Sequence, residues 1–175
     1  MKFVTKVSLT LASAGFLVLA ATAEAKAINL TYENSIGEPG FGPGQLFVPQ
    51  GVAQSNADGN IYVSNGRGND PSPGGAGFLP NIGNRVDVFS PDGEYLRAIG
   101  TGVQGKGAGI DEPGDLKFDP ISGNLYIADV FNSEIDVYNP STGDFVTSFG
   151  SFSGQGPGDI FFGPGGIDFD QQGNL

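Results

Sequence analysis

The chemistry open to this chain is carboxylate chemistry. Its 175 residues hold 19 acidic and 8 basic side chains, and neither cysteine nor histidine. Thiolate and imidazole metal sites are therefore excluded within this sequence, as are Ser-His-Asp and Cys-His nucleophilic catalysis. Oxygen ligands remain, and Asp115, Asp129 and Asp168 have the chemistry that a hard ion such as calcium takes. No Asp-x-Asp-x-Asp loop accompanies them, and acids scattered at strand ends are ordinarily solvated. Asp58-Gly59 and Asp111-Glu112 read as turn residues. The sequence thus assigns no catalytic, cofactor-binding or metal-ligating residue, and calcium is the one ion its acids would suit. The candidate for recognition is the glycine- and proline-rich stretch 66–83, which carries Arg67, Asp70 and Phe78. A plain flexible insertion accounts for the same composition.

An internal repeat sets the elements that carry these residues. Gly59-Asn60-Ile61-Tyr62-Val63-Ser64-Asn65 returns as Gly123-Asn124-Leu125-Tyr126-Ile127-Ala128-Asp129 and begins again at Gly173-Asn174-Leu175. Before these cores stand Pro49-Gln50-Gly51-Val52, Pro113-Gly114-Asp115-Leu116 and Pro164-Gly165-Gly166-Ile167. After them, Arg85-Val86-Asp87-Val88-Phe89 corresponds to Glu134-Ile135-Asp136-Val137-Tyr138. A Pro-Asp-Gly or Ser-Thr-Gly turn and a further apolar run follow, ending at Gly100 and Gly150. Short runs rich in Val, Ile, Phe and Tyr between such turns predict an all-β chain with four antiparallel strands per copy. A period near 50 residues built this way is the pattern of a β-propeller blade.

Apolar residues stand side by side in Leu125-Tyr126-Ile127-Ala128, so both faces of these strands are expected to be buried. Gly51, Gly114 and Gly166 fall where innermost strands would crowd one another. The first copy is the longer one, and its excess lies in 66–83. The expected organisation is a leader over 1–25, then an outer strand with a glycine-rich connection over 26–48. A first repeat over 49–100, a second over 101–150 and a partial third over 151–175 follow. Leu30 to Gly37 matches the fourth strand of a copy, and the third copy stops inside its second strand, as a longer propeller cut short would.

Lys2 and Lys6, the apolar run from Val7 to Ala21, and Ala23-Glu24-Ala25 make residues 1–25 a secretory signal peptide, with Lys26 as the expected mature start. Without Lys2, Lys6 and Glu24 the chain keeps 6 basic and 18 acidic residues, a net charge of −12. Such a surface repels nucleic acid and anionic membranes. No later segment is apolar enough to span a bilayer. The chain is expected to be periplasmic, extracellular or on the cell surface.

These motifs resemble the NHL repeat family, whose signature is a Pro-x-Gly-Ile segment, a Gly-Asn-Ile-Tyr-Val-x-Asp strand and an Asn-x-Arg-Ile-x-Val-Phe strand. The first copy matches with Pro49, Gly51, Val52, Gly59 to Val63, and Arg85 to Phe89. The second matches with Pro113, Gly123 to Asp129, Asn132, and Ile135 to Tyr138. Two positions depart: Glu134 stands where the family has arginine, and Asn65 where it has aspartate. An arginine contact is thereby lost in the second copy, whereas Asn65 can still satisfy backbone amides.

The resemblance implies a propeller of about six blades, of which this chain supplies about two and a half. It also implies likeness to exported NHL proteins of cyanobacteria and other bacteria. Some of these carry a PEP-CTERM sorting tail, and one belongs to the scytonemin pigment cluster. The expected role is a non-catalytic binding or scaffold module for a protein, glycan or small ligand. The alternative is a hydrolase or lactonase-like enzyme with a metal in its central channel, held in part by residues outside this sequence. Enzymatic activity is left open, leaning to none.

Overall fold

The computed structural model describes residues 32–66, 83–100, 109–152, 156–160 and 162–175. The leader and the candidate loop residues Arg67, Asp70 and Phe78 lie outside the described residues. The chain divides into Met1–Glu33 and a compact unit, Asn34–Leu175, that holds every strand found among the described residues.

A short parallel pair, β1 (Glu38–Pro39) and β2 (Gln45–Leu46), leads into the first large sheet. That sheet is β3 (Pro49–Gln54), β4 (Ile61–Asn65), β5 (Arg85–Phe89) and β6 (Tyr95–Ile99), hydrogen-bonded in chain order. The second repeats it as β7 (Pro113–Phe118), β8 (Leu125–Asp129), β9 (Glu134–Tyr138) and β10 (Phe145–Phe149). Both are antiparallel meanders of four strands, and no helix occurs among the described residues. Neither sheet closes on itself. The protein is all-β, as the turn spacing and β-branched runs require.

The two sheets match in detail. Asn65 is opposite Arg85, and Asp129 is opposite Glu134. Each first strand also slips register after its proline, between Pro49 and Val52 and between Pro113 and Leu116. The turn between first and second strands is closed by Gly59 N donating to Ser55 O at 2.9 Å and Gly123 N to Asp119 O at 2.9 Å. The third copy closes a turn one residue shorter at the same place, with Gly173 N donating to Asp170 O at 3.1 Å, although 164–175 forms no ladder. All three glycines have positive φ, 76°, 73° and 83°, which is why glycine stands there. At the other end of the chain, 32–36 is likewise in no strand, unlike the outer strand expected over 30–37.

Burial follows the adjacent apolar residues. Every residue of β5 and β9 is buried, and the core gathers Tyr62, Val86, Val88, Ile99, Ile110, Leu116, Leu125, Ile127 and Tyr138 from both sheets. Successive copies are joined by one aromatic contact used twice. Tyr62 of β4 meets Phe118 of β7 edge-on at 5.0 Å and 87°, and Tyr126 of β8 meets Phe169 of the third copy at 4.9 Å and 87°. Such a pair contributes about 0.5–1.5 kcal/mol beyond the area it buries. The Tyr62 hydroxyl donates to Pro140 O at 3.2 Å, and Arg97 donates to the same carbonyl, tying the first sheet to the β9–β10 turn.

A second contact recurs three times. Gly37, Gly100 and Gly150 leave room for an apolar side chain about ten residues further on: Leu46, Ile110 and Ile160. A Cβ on any of the three glycines would come within 3.0 Å of that side chain. Gly37 thus behaves as the end of a fourth strand even though the residues before it are unpaired.

The first strands β3 and β7 lie against each other. A Cβ at Gly51 would stand 2.9 Å from the Asp115 Cα, whereas one at Gly166 meets nothing nearer than an Asp115 oxygen at 3.8 Å. The crowding expected at all three repeat glycines is therefore backbone crowding at Gly51. At Gly114 it is side-chain contact, with Val130 at 3.0 Å, and at Gly166 it is ordinary packing. Gly51→Ala should accordingly cost about 1–3 kcal/mol of stability through overpacking, and Gly166→Ala close to nothing. Denaturant titration of the two variants checks this, and equal midpoints would remove the close approach from the account.

Candidate functional site

Charged residues on fully buried strands need partners, and the two sheets solve this differently. In the first sheet Arg85 Nε donates to Asp87 at 2.8 and 3.0 Å, and Asn65 Nδ2 donates to the same carboxylate at 3.0 Å. The rest of the guanidinium reaches back to the chain entering the sheet. It donates to Phe41 O at 3.3 Å, Gly42 O at 2.7 Å and Gln45 O at 3.2 Å. Asn65 Oδ1 accepts the Phe47 and Val48 amides at 3.1 and 3.3 Å. The site is closed and its charges cancel.

In the second sheet the same three positions are Asp129, Glu134 and Asp136. Asp129 keeps the amide-accepting role: its Oδ1 accepts Asp111 N at 3.1 Å and Asn132 N at 3.3 Å. Its Oδ2 accepts Asn132 Nδ2 at 2.8 Å. Glu134 Oε2 accepts the Ser148 hydroxyl at 3.1 Å. One oxygen from each of the three acids lies within 4.8 Å of those of the other two. Asp136 is 0% exposed, and neither of its carboxylate oxygens has a hydrogen-bond donor.

Three acids so close in a dry interior do not all ionise. Burial pushes the Asp136 carboxyl far above its ordinary range, and the charges of Asp129 and Glu134 push it further. Burial also raises Asp129, against the opposing pull of its hydrogen bonds from Asn132 and Asp111 and from Asp136 when that acid holds its proton. The Tyr138 phenol, next along β9, is raised by burial and then by the neighbouring acids.

Of the acids that suit a hard ion in the sequence, only Asp129 belongs to this cluster, joined by Glu134, the departure from arginine in the second copy. Asp115 is half-buried on β7, where Lys117 stands 3.3 Å away and the Ile167 amide donates to it at 3.2 Å. Asp168 is exposed and accepts its neighbour's amide, from Phe169, at 3.0 Å. The structure does not bring Asp115, Asp129 and Asp168 together. Asp58 caps its turn as expected, accepting the Asn60 amide at 3.1 Å. Asp111 is buried and accepts Asn84 Nδ2 at 3.2 Å, and Glu112 has a φ of 60°. Between the turns of the two sheets opens a cleft of about 290 Å³, lined by Ser55, Asp58, Tyr62, Asn124, Asn139 and Pro140 among others.

No family model matches this chain, and no curated protein matches it. Among solved structures it is similar to a chain of hydrazine synthase from Kuenenia stuttgartiensis, at 12% identity and a TM-score of 0.49. The likeness covers 83% of this chain and 31% of that one, so this chain spans under a third of that chain's length.

The raised acids set a pH dependence. Between the ordinary carboxylate value near about 4 and the raised folded-state values, the folded cluster keeps protons that the unfolded chain gives up. Stability in a chelator is therefore fullest below about pH 4 from this source and falls as pH rises. Asp136→Asn should remove most of that fall and raise Tm at pH 8 relative to the parent. Thermal melts from pH 4 to 8 read it directly, and parallel curves for the two proteins would show that Asp136 ionises normally.

Proposed function

We propose that this chain is part of an exported NHL-repeat β-propeller that serves as a non-catalytic binding or scaffold module. Its strand-end loops would be presented to a protein, glycan or small ligand. The observation that carries the reading is the repetition between successive copies. Two meander sheets with one register place their first strands side by side at Gly51 and Asp115, and the Tyr62–Phe118 contact recurs as Tyr126–Phe169. Propeller blades pack in this way, inner strand beside inner strand. The enzyme alternative draws little from the acid cluster. Its carboxylates are buried on β8 and β9 instead of lining the inner strand β7.

Recognition is assigned to the insertion between β4 and β5. Its ends are joined without it: Asn84 N donates to Gly66 O at 3.2 Å, so excising 67–82 leaves a closed turn. The full protein without 67–82 should melt as the parent does and lose the envelope component that the parent captures. A captured set unchanged by the excision would end the assignment of binding to this loop. Small-angle scattering of the full protein tests the architecture separately, since a propeller scatters as a short disc and an open stack of sheets as a rod.

A further inference from the structure

We propose that Asp129, Glu134 and Asp136 bind one hard divalent cation of the calcium class. In the second sheet this ion takes the place that the Arg85 guanidinium takes in the first. The inference does not depend on the architecture or the binding role proposed above.

The internal repeat supplies the comparison. Asn65, Arg85 and Asp87 sit at the same register positions as Asp129, Glu134 and Asp136. In the first sheet a positive charge lies between them, with Arg85 Nε 2.8 Å from Asp87. In the second sheet the cationic side chain is exchanged for an acid and the amide for a second acid, so a donor set becomes an acceptor set on an unchanged backbone. An exchange of arginine for glutamate beside a buried aspartate is strongly destabilising unless a cation or a proton neutralises the acids.

Asp136 points to the same conclusion independently. Its counterpart Asp87 receives the Arg85 and Asn65 donors, whereas Asp136, equally buried, receives none. A fully buried carboxylate that receives no donor on either oxygen, and faces two further carboxylates, is placed as a cation ligand is placed.

The ligand chemistry selects the ion class. All three donors are carboxylate oxygens, and the chain has no cysteine or histidine to favour a softer metal. Magnesium dehydrates reluctantly and keeps several waters, whereas calcium takes carboxylate oxygens directly, so three carboxylates gathered in a dry interior suit calcium better. The supporting shell is in place. Asp111 N and Asn132 orient Asp129, and the Ser148 hydroxyl orients Glu134, as outer partners orient metal ligands elsewhere.

Calorimetric titration of the full chain, stripped with chelator, with calcium chloride and separately with magnesium chloride tests the proposal. Melts across a calcium series accompany it. The expected result is one calcium site per chain, weaker uptake of magnesium, and a Tm that climbs with calcium concentration by mass action. Asp136→Asn should weaken calcium at least about tenfold. Glu134→Arg, which rebuilds the Arg85–Asp87 pair, should abolish calcium uptake and raise Tm in chelator. That variant decides the matter if Asp136→Asn fails to fold. A parent chain that takes up no calcium, its cluster neutralised by protons or by a lysine of its own, overturns the proposal. So does calcium binding in Glu134→Arg equal to that of the parent.

Discussion

A buried acid at the middle of the third strand is the constraint around which each sheet is arranged. β5 and β9 are covered on both faces along their whole length, so Asp87 and Asp136 have no access to water. A carboxylate there must be neutralised by something the fold itself provides or collects. In the first sheet the answer is an arginine two residues before the acid, which also reaches carbonyls at Phe41, Gly42 and Gln45. One side chain thereby balances the charge and holds the segment that leads into β3. The second sheet retains the acid, the strand and the register but not the arginine.

Around these centres the packing is modular. The tyrosine of each second strand seats on a phenylalanine near the start of the next copy, and a glycine after each fourth strand admits an apolar side chain from the following loop. Both devices join one copy to the next, and neither acts within a copy. A sheet taken alone would expose Tyr62 or Tyr126, together with much of the shared core. Stability is thus distributed over junctions, the arrangement expected of repeat proteins.

Much of this was legible in the residues. Val, Ile and Tyr runs bounded by glycine turns placed the eight long strands, and adjacent apolar residues announced two-sided burial. The place of Glu134 as a departure was visible as well, because the repeat aligns it with Arg85. What it sits among was not, since that depends on cross-strand register: Asp129 is opposite Glu134, and Asp136 lies two residues along the same face. By residue type alone Asp115, Asp129 and Asp168 all suit a hard ion, yet only Asp129 joins the cluster, leaving out Asp115 and Asp168. Each of these proves to have a local partner, Lys117 in one case and a backbone amide in the other. The pattern at 30–37 matches a fourth strand in composition, yet strand formation needs a neighbour to bond with, and 32–36 pairs with no strand among the described residues.

The tyrosine–phenylalanine junction has a direction. The second strand of each copy offers the tyrosine, and the opening segment of its successor offers the ring that receives it, at Phe118 on β7 and at Phe169. The corresponding position in the first copy is Gln54, on a strand whose outward residues are exposed. The copies are therefore not interchangeable beads. Exchanging their order would set the Gln54 amide beneath the half-buried Tyr126, so the chain encodes its own sequence of assembly as a head-to-tail polarity, written in one receiving aromatic ring at each junction.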